Sequence, residues 1–256
     1  MKPMPDHIPT HGENGSLSRM RIDMHSHLLP GIDDGCQNLD DSIECIRMLK
    51  EAGYTGSFCT PHVWPDVFPE NTPDQICEWT DQLRQQLNER SIQYQIWPGG
   101  ELRLSESIVE WMKEHGVPTL ANSNRVLVDY WGEKWTKWLN PCFEWLIDSG
   151  YQPILAHPER IRCRKDLDKR LVTLEQMGVW LQGNFRCITG GEGMFASGKF
   201  RQLMNEGRYQ LLALDMHGPD SLQSRLDGID IVEIEFGIDT IRELTVNAPR
   251  QLILDA

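Results

Sequence analysis

Apolar residues recur along this chain with period two, then with helical period, and the two patterns take turns. Arg21-Ile22-Asp23-Met24 is a short apolar lead that reads as a first strand. Asp40 and Asp41 are placed to cap a helix carrying Ile43, Ile46 and Leu49 to Lys50, stopped by Gly53. Tyr54 to Thr60 reads as the second strand and ends in Thr60-Pro61-His62. Thr72-Pro73 predicts an N-cap with proline in the first helical position, opening a polar helix to Arg90. Ile92 to Trp97 alternates cleanly as a third strand, ending in Gly99-Gly100-Glu101. Ser105 starts a helix through Ile108, Trp111 and Met112 that closes near Gly116. Arg125 to Val128 is the fourth strand and ends at Asp129. Glu133 to Ser149 has helical spacing with a break expected before Pro141; Trp135, Trp138 and Trp145 read as core or interface residues. Gln152 to Ala156 is the fifth strand, ending in His157-Pro158-Glu159-Arg160, and Lys165 to Met177 is helical. Val179 to Gly183 is the sixth strand, ending near Asn184, and Ala196 to Asn205 is helical. Tyr209 to Leu214 is the seventh strand, ending in Asp215-Met216-His217. The tail predicts one or two further helices, including Asp239 to Leu244, and a short last helix after Pro249.

Strands alternating with helices predict an α/β fold with a parallel sheet. Seven such units in one run favour a closed β/α barrel over two open sheets. No low-complexity linker or repeat interrupts them, so residues 21–256 are expected to form one domain. Residues 1–20 are rich in Pro, Gly, Ser and His and contain no apolar h-region, so they read as a disordered lead rather than a signal peptide, with His7 and His11 as surface histidines. No run of about 18 apolar residues predicts a membrane span. A formal net charge of −13 speaks against non-specific nucleic-acid binding, because phosphates need Lys and Arg to neutralise them. The 7 cysteines are odd in number and form no C-x-x-C pair, so reduced thiols in a cytoplasmic protein are expected.

The chemistry-bearing residues fall at one kind of position. His25 and His27, two apart on a strand, share a face, and Asp33 and Asp34 follow in a Gly-flanked loop. His62, Glu101, Asp129, His157 with Arg160, and Asp215 with His217 end five of the other strands. In parallel barrels chemistry sits at the C-terminal strand ends. Five imidazoles and at least four carboxylates exceed what one ion needs, so two or three ions are expected, with Glu101 as a bridging carboxylate. Mixed N/O donors without thiolate fit Mn, Zn or Fe. Arg160, three residues after His157, is shaped for a bidentate grip on phosphate. A multi-metal cluster with such a grip suits phosphoester hydrolysis. None of the cysteines has an arginine six positions later, so a thiol-dependent tyrosine phosphatase is excluded. Thr189-Gly190-Gly191-Glu192-Gly193 lacks the P-loop pattern and reads as a flexible loop.

The set D-x-H-x-H, T-P-H, G-G-E, A-H-P-E-R and D-M-H, in this order, resembles the PHP (polymerase and histidinol phosphatase) superfamily. The long first motif H-S-H-L-L-P-G-I-D-D-G together with A-H-P-E-R is similar to one branch, the manganese-dependent bacterial protein-tyrosine phosphatases of capsule and exopolysaccharide synthesis. The resemblance implies a distorted seven-stranded β/α (TIM-like) barrel with a trinuclear Mn2+ site, Zn2+ or Fe suiting the same donors. It implies a first ion on His25, His27, Glu101 and Asp215, a second on Glu101, Asp129 and His157, and a third on Asp34, His62 and His217. Arg160 would hold the phosphate and Arg225 would be a second grip, although its spacing from the D-M-H motif is longer than the family's. The implied substrate is a phosphotyrosyl protein, the tyrosine kinase of polysaccharide synthesis, attacked by a metal-bridged hydroxide. Alternatives are a histidinol-phosphate or other small phosphomonoester phosphatase, and a regulatory barrel that has lost catalysis. The family usually has Glu where this chain has Asp129, and a small polar residue where it has Leu214.

Overall fold

β1 (Arg21–Ser26) is buried along its whole length, the mark of a parallel strand covered on both faces. The computed structural model describes residues 21–254, so the expected lead over residues 1–20, with His7 and His11, lies outside the described residues. β1 pairs in parallel with β2 (Tyr54–Cys59), and β2 with β4 (Gln95–Pro98). A second sheet runs β3 (His62–Val63), β5 (Glu101–Arg103), β6 (Arg125–Asp129), β7 (Gln152–Ala156), β8 (Trp180–Asn184) and β9 (Leu211–Ala213), again all parallel. The described residues therefore contain nine strands in two sheets, where the sequence predicts seven in one.

The extra strands arise where two expected strands are interrupted. Thr60-Pro61 separates β2 from β3, and Pro61 has no N–H to give a ladder. Gly99-Gly100 separates β4 from β5. A Cβ on Gly100 would lie 2.7 Å from the Val63 side chain, so the neighbouring strand is approached too closely for any other residue. Backbone bonds cross the interruptions: Thr60 N donates to Ser26 O at 2.8 Å and Glu101 N to Pro61 O at 3.0 Å. At the other edge of β1, Asp215 N donates to His25 O and His27 N to Met216 O, and Ser26 forms a parallel bridge with Met216.

The helices follow the strands. α1 (Leu39–Glu51) is capped by Asn38, whose side chain accepts from Asp41 N at 3.0 Å. The cap is thus not Asp40 or Asp41; those two lie in the first turn, where their charge meets the positive end of the helix. α2 (Pro73–Glu89) starts as expected, with Thr72 as cap and Pro73 first. α3 spans Ile108–His115. α4 (Leu139–Asp148) begins six residues later than expected and holds Pro141 in its first turn, where a missing N–H costs nothing. Trp135, Trp138 and Trp145 pack partly buried against the core, as expected. α5 (Leu167–Gln176), α6 (Phe185–Ile188) and α7 (Gly193–Asn205) follow. α8 (Pro219–Phe236) is the long helix of the tail. Its buried face reads Leu222, Arg225, Gly228, Ile229 and Val232, and the Arg and Gly break the apolar stripe that would have announced it. α9 (Ile238–Arg242), a π turn (Glu243–Asn247) and α10 (Ala248–Leu254) close the described chain.

A smaller core cluster gathers alternate residues of β1, β7 and β9 (Ile22 and Met24, Ile154 and Ala156, Leu211 and Ala213) with Leu252 of α10. A larger cluster fills the space between sheets and helices, around Ile46, Phe143, Phe185 and Phe200.

Candidate metal centre

Glu101, at the start of β5, is the hub. Its Oε2 lies 3.4 Å from His25 Nε2, 3.6 Å from His27 Nε2 and 2.8 Å from His62 Nδ1, and its Oε1 lies 2.9 Å from His157 Nε2. Asp215 Oδ1 lies 3.3 Å from His25 Nε2 and 3.4 Å from His27 Nε2, and those two nitrogens are 3.3 Å apart. Asp34 Oδ1 lies 3.2 Å from His62 Nε2 and 3.4 Å from His217 Nε2. Asp129 stands at the rim of this set, with Oδ1 3.8 Å from His157 Nδ1 and Oδ2 accepting from Arg103 Nη1 at 3.3 Å.

Three of the five histidines are each aimed by a hydrogen-bond partner. His25 Nδ1 donates to Gln182 Oε1 at 2.9 Å and His27 Nδ1 to Asp33 Oδ2 at 2.7 Å, while His217 Nδ1 donates to the Asp215 carbonyl at 3.0 Å. These bonds make Nδ1 the donor in each ring and turn Nε2 toward the cluster. Asp33 is itself fixed by the backbone N–H groups of Gly35 and His62. A Cβ on Gly35 would fall 2.3 Å from the His27 Cβ, so only glycine lets the acidic loop press against His27. Asp215 Oδ2 accepts from Asn184 Nδ2 and Arg160 Nη1, both at 2.7 Å, which turns Oδ1 toward the histidines. His157 (φ 33°) and Asp215 (φ 51°) both end a strand in the left-handed region, a strained backbone that swings their side chains into the mouth.

The spacing of the histidine nitrogens of His25 and His27 from each other and from Glu101 and Asp215 suits a cation. A tetrahedron of donors with metal bonds of about 2.0–2.2 Å has edges of about 3.3–3.6 Å. The five separations among their donor atoms that involve a histidine nitrogen span 3.3–3.6 Å. Glu101 Oε2 is buried without a hydrogen-bond partner among the described residues, and a buried carboxylate oxygen is costly unless something positive meets it. Three overlapping donor groups can be drawn: His27, Asp34, His62 and His217; His25, Glu101 and His157; and His25, His27 and Asp215. Burial opposes ionisation of Glu101, but His25 and His62 outweigh it and hold the carboxyl well below its usual range. Burial also opposes charge on His62, yet Glu101 and Asp34 push it up to about 11; His27, beside Asp33 and Asp215, goes up to about 10. Burial, reinforced by Glu101, raises Asp129.

A cavity of about 320 Å³ opens over the cluster, bordered by Asp34, His62, Trp131, Arg160, Arg186 and Arg225 among others. Arg160 holds Asp215 through Nη1 and reaches Glu192 Oε2 at 3.5 Å through Nε, which leaves Nη2 without a hydrogen-bond partner among the described residues. Arg225 is buried and gives its Nε to the Asp215 carbonyl at 2.9 Å. Asp215 thus receives one arginine on its side chain and another on its backbone.

All nine metal candidates and both arginines meet at this one mouth. The structure groups them differently in three places: His25, rather than Asp129, completes the group of Glu101 and His157, His27 joins Asp34, His62 and His217, and the group of His25, His27 and Asp215 lacks Glu101. The aiming residues Gln182 and Asn184, and the outer residues Arg103, Trp131, Arg186 and Glu192, were not singled out from the sequence. Strand position alone could have found the two amides, since both lie at the end of the one strand that brings no titratable candidate.

A family model described as capsular polysaccharide synthesis, CpsB/CapC, matches residues 21–254. The chain is 27% identical over 228 residues to the tyrosine-protein phosphatase YwqE of Bacillus subtilis, covering 89% of each. It is 25% identical over 240 residues to the tyrosine-protein phosphatase CpsB of Streptococcus pneumoniae, covering 91% of this chain and 98% of that one. Among solved structures it matches a chain from the crystal structures of YwqE and CpsB, unique metal-dependent tyrosine phosphatases, with a TM-score of 0.81 and 27% identity over 91% of this chain and 94% of that one.

Proposed function

Because this chain belongs to the CpsB/CapC family of capsular polysaccharide synthesis, we propose that it is a metal-dependent protein-tyrosine phosphatase acting in that process. The observation that carries the proposal is the convergence of five imidazoles and three further carboxylates around Glu101, with Arg160 beside them. The ions held there would be Mn2+, two or three in number. His25, His27, Glu101 and Asp215 would hold the first, Glu101, Asp129 and His157 the second, and Asp34, His62 and His217 the third. Bound there, the ions supply an activated water and neutralise charge on the phosphoryl oxygens.

The chain's own residues do the rest. Arg160 grips the phosphate with its uncommitted Nη2, and Arg225 is a second grip from the cavity wall. Gln182, Asp33 and Asn184 keep the donors aimed, so little reorganisation is left for the reaction. Trp131 offers the tyrosyl ring an aromatic wall at the cavity edge. The substrate is a phosphotyrosyl protein, the tyrosine kinase of polysaccharide synthesis, met in the cytoplasm. The cysteines of the described residues are free, which suits that compartment, and no helix among the described residues is long and apolar enough to cross a membrane. We read β2 with β3 and β4 with β5 as interrupted single strands, giving seven staves of a distorted barrel closed by the Ser26–Met216 bridge, in one domain over residues 21–256.

The test compares Mn-loaded and chelated protein on a phosphotyrosyl peptide and on histidinol phosphate. Turnover of the peptide, abolished by chelation and reduced by about a hundredfold or more in His157→Ala, is expected. Preference for histidinol phosphate would move the activity to small phosphomonoesters. Full turnover by metal-free protein would falsify the mechanism.

A further inference from the structure

Beyond the metal mouth the cavity continues into an outer trough of about 480 Å³. The two share Trp131, His157, Arg160 and Glu192, so the trough adjoins the mouth along these residues. Arg162, Arg164, Met194 and Phe195 line only the outer part. The chain as a whole is acidic, with a formal net charge of −13, yet this wall is basic.

The acids that also reach the trough are already committed. Glu159 is buried and accepts from Asn184 N and Tyr209 Oη, both at 2.7 Å. Asp129 faces Arg103, and Glu192 lies between Arg160 and Arg186. Arg162 and Arg164 have no carboxylate within ion-pair distance among the described residues. Their guanidinium groups lie instead against aromatic rings: Arg162 is 5.9 Å from the centroid of Trp131, and Arg164 is 4.0 Å from that of Phe195. Arg103 and Arg160 approach the same Trp131 ring at 5.5 and 5.4 Å. Two of the exposed large apolar side chains, Trp131 at 40% and Met194 at 93% exposure, stand in this trough. Stacked, uncommitted guanidinium groups beside exposed apolar surface are poised for an anionic peptide.

We propose that this trough binds the segment flanking the phosphotyrosine, and that Arg162 and Arg164 select substrates carrying Asp or Glu there. This rests on the phosphatase reading above for the identity of the substrate, but the binding it asserts can be read without turnover.

The test uses the metal-loaded full chain and two phosphotyrosyl peptides, alike except for Glu or Ser in the flanks. Fluorescence anisotropy gives Kd, and phosphate release gives kcat/KM. Each exposed charge pair is worth little, so two of them favour the Glu peptide by about tenfold. In Arg162→Ala/Arg164→Ala that preference is expected to fall to near unity, to reverse in Arg162→Glu/Arg164→Glu, and in the unaltered protein to fade at high salt. Because both positions are exposed, these variants should fold as the parent does, which circular dichroism checks. Equal Kd for the two peptides in the unaltered protein, or a Glu preference that survives in both double variants, overturns the proposal. Absence of turnover on every phosphate ester, with the Glu preference in Kd intact, overturns the phosphatase reading and leaves the trough standing.

Discussion

At the residue scale, the donors were legible because they titrate. Imidazoles and carboxylates at strand ends stand out in a string of letters, whereas Gln182 and Asn184 look like any surface amide until the fold buries them. Yet Gln182 decides which nitrogen of His25 carries the proton, through one bond of 2.9 Å. Removing it lets the His25 ring turn and leaves its Nδ1–H buried without an acceptor. Gln182→Ala is therefore expected to weaken Mn binding by about 10–100-fold, while leaving every first ligand in place. Isothermal titration with Mn2+ measures this directly. An unchanged Kd would mean that packing alone holds the ring. Asp129 shows the opposite limit of legibility: the sequence marks it as a ligand, and its identity as an acid is clear, but its distance from His157 and its pairing with Arg103 follow from the third dimension.

Elements were legible where one rule governed them. β7 begins and ends where the sequence places its fifth strand, and α2 starts where Thr72-Pro73 says it must. α8 was not, because Arg225 and Gly228 occupy its buried face for reasons outside the helix. Arg225 reaches the Asp215 backbone, and a Cβ on Gly228 would meet Phe185 O at 2.5 Å. The split strands were hidden likewise, since Pro61 and the Gly99-Gly100 pair read as loop ends. What ties β1 to the segment after β9 is a buried acid. Asp23 Oδ1 accepts from Leu214 N at 2.9 Å, Oδ2 has no partner among the described residues, and burial pushes the carboxyl up to about 7. A raised carboxyl pKa stabilises the fold while the group stays protonated. That contribution is complete below the unfolded value and is lost as pH rises through 7. Asp23→Asn keeps an acceptor for Leu214 and does not titrate. In metal-free protein, chemical denaturation should show the parent losing about 2 kcal/mol relative to Asp23→Asn between about pH 5.5 and 8.5. A constant gap across that range would mean Asp23 is already ionised at its lower end.

On the scale of the whole molecule, the centre is an acidic cage that protons and metal ions compete to fill. In metal-free protein the surrounding carboxylates push His27 up to about 10 and His62 up to about 11, so both carry protons at neutral pH. Those protons stabilise the metal-free fold; the contribution is complete below the unfolded value of 6.5 and is lost as pH rises through about 10 to 11. A divalent cation offers the same charge compensation, but it needs the histidine lone pairs, so binding must expel protons. Affinity for Mn2+ should accordingly tighten as pH rises from about 6 to 8, by about tenfold per pH unit for each proton released. Calorimetric titrations in two buffers of different ionisation enthalpy should count about two protons per binding event. The fold should respond in step, because a ligand held only by the native state stabilises it by about 2.7 kcal/mol at a hundred times its Kd. At one fixed Mn2+ concentration the gain in Tm over chelated protein should thus grow with pH. A pH-independent Kd with no proton release would show that His27 and His62 are already neutral in the metal-free protein. The cage would then be pre-organised by its hydrogen bonds to Asp33 and Asp34 rather than by charge.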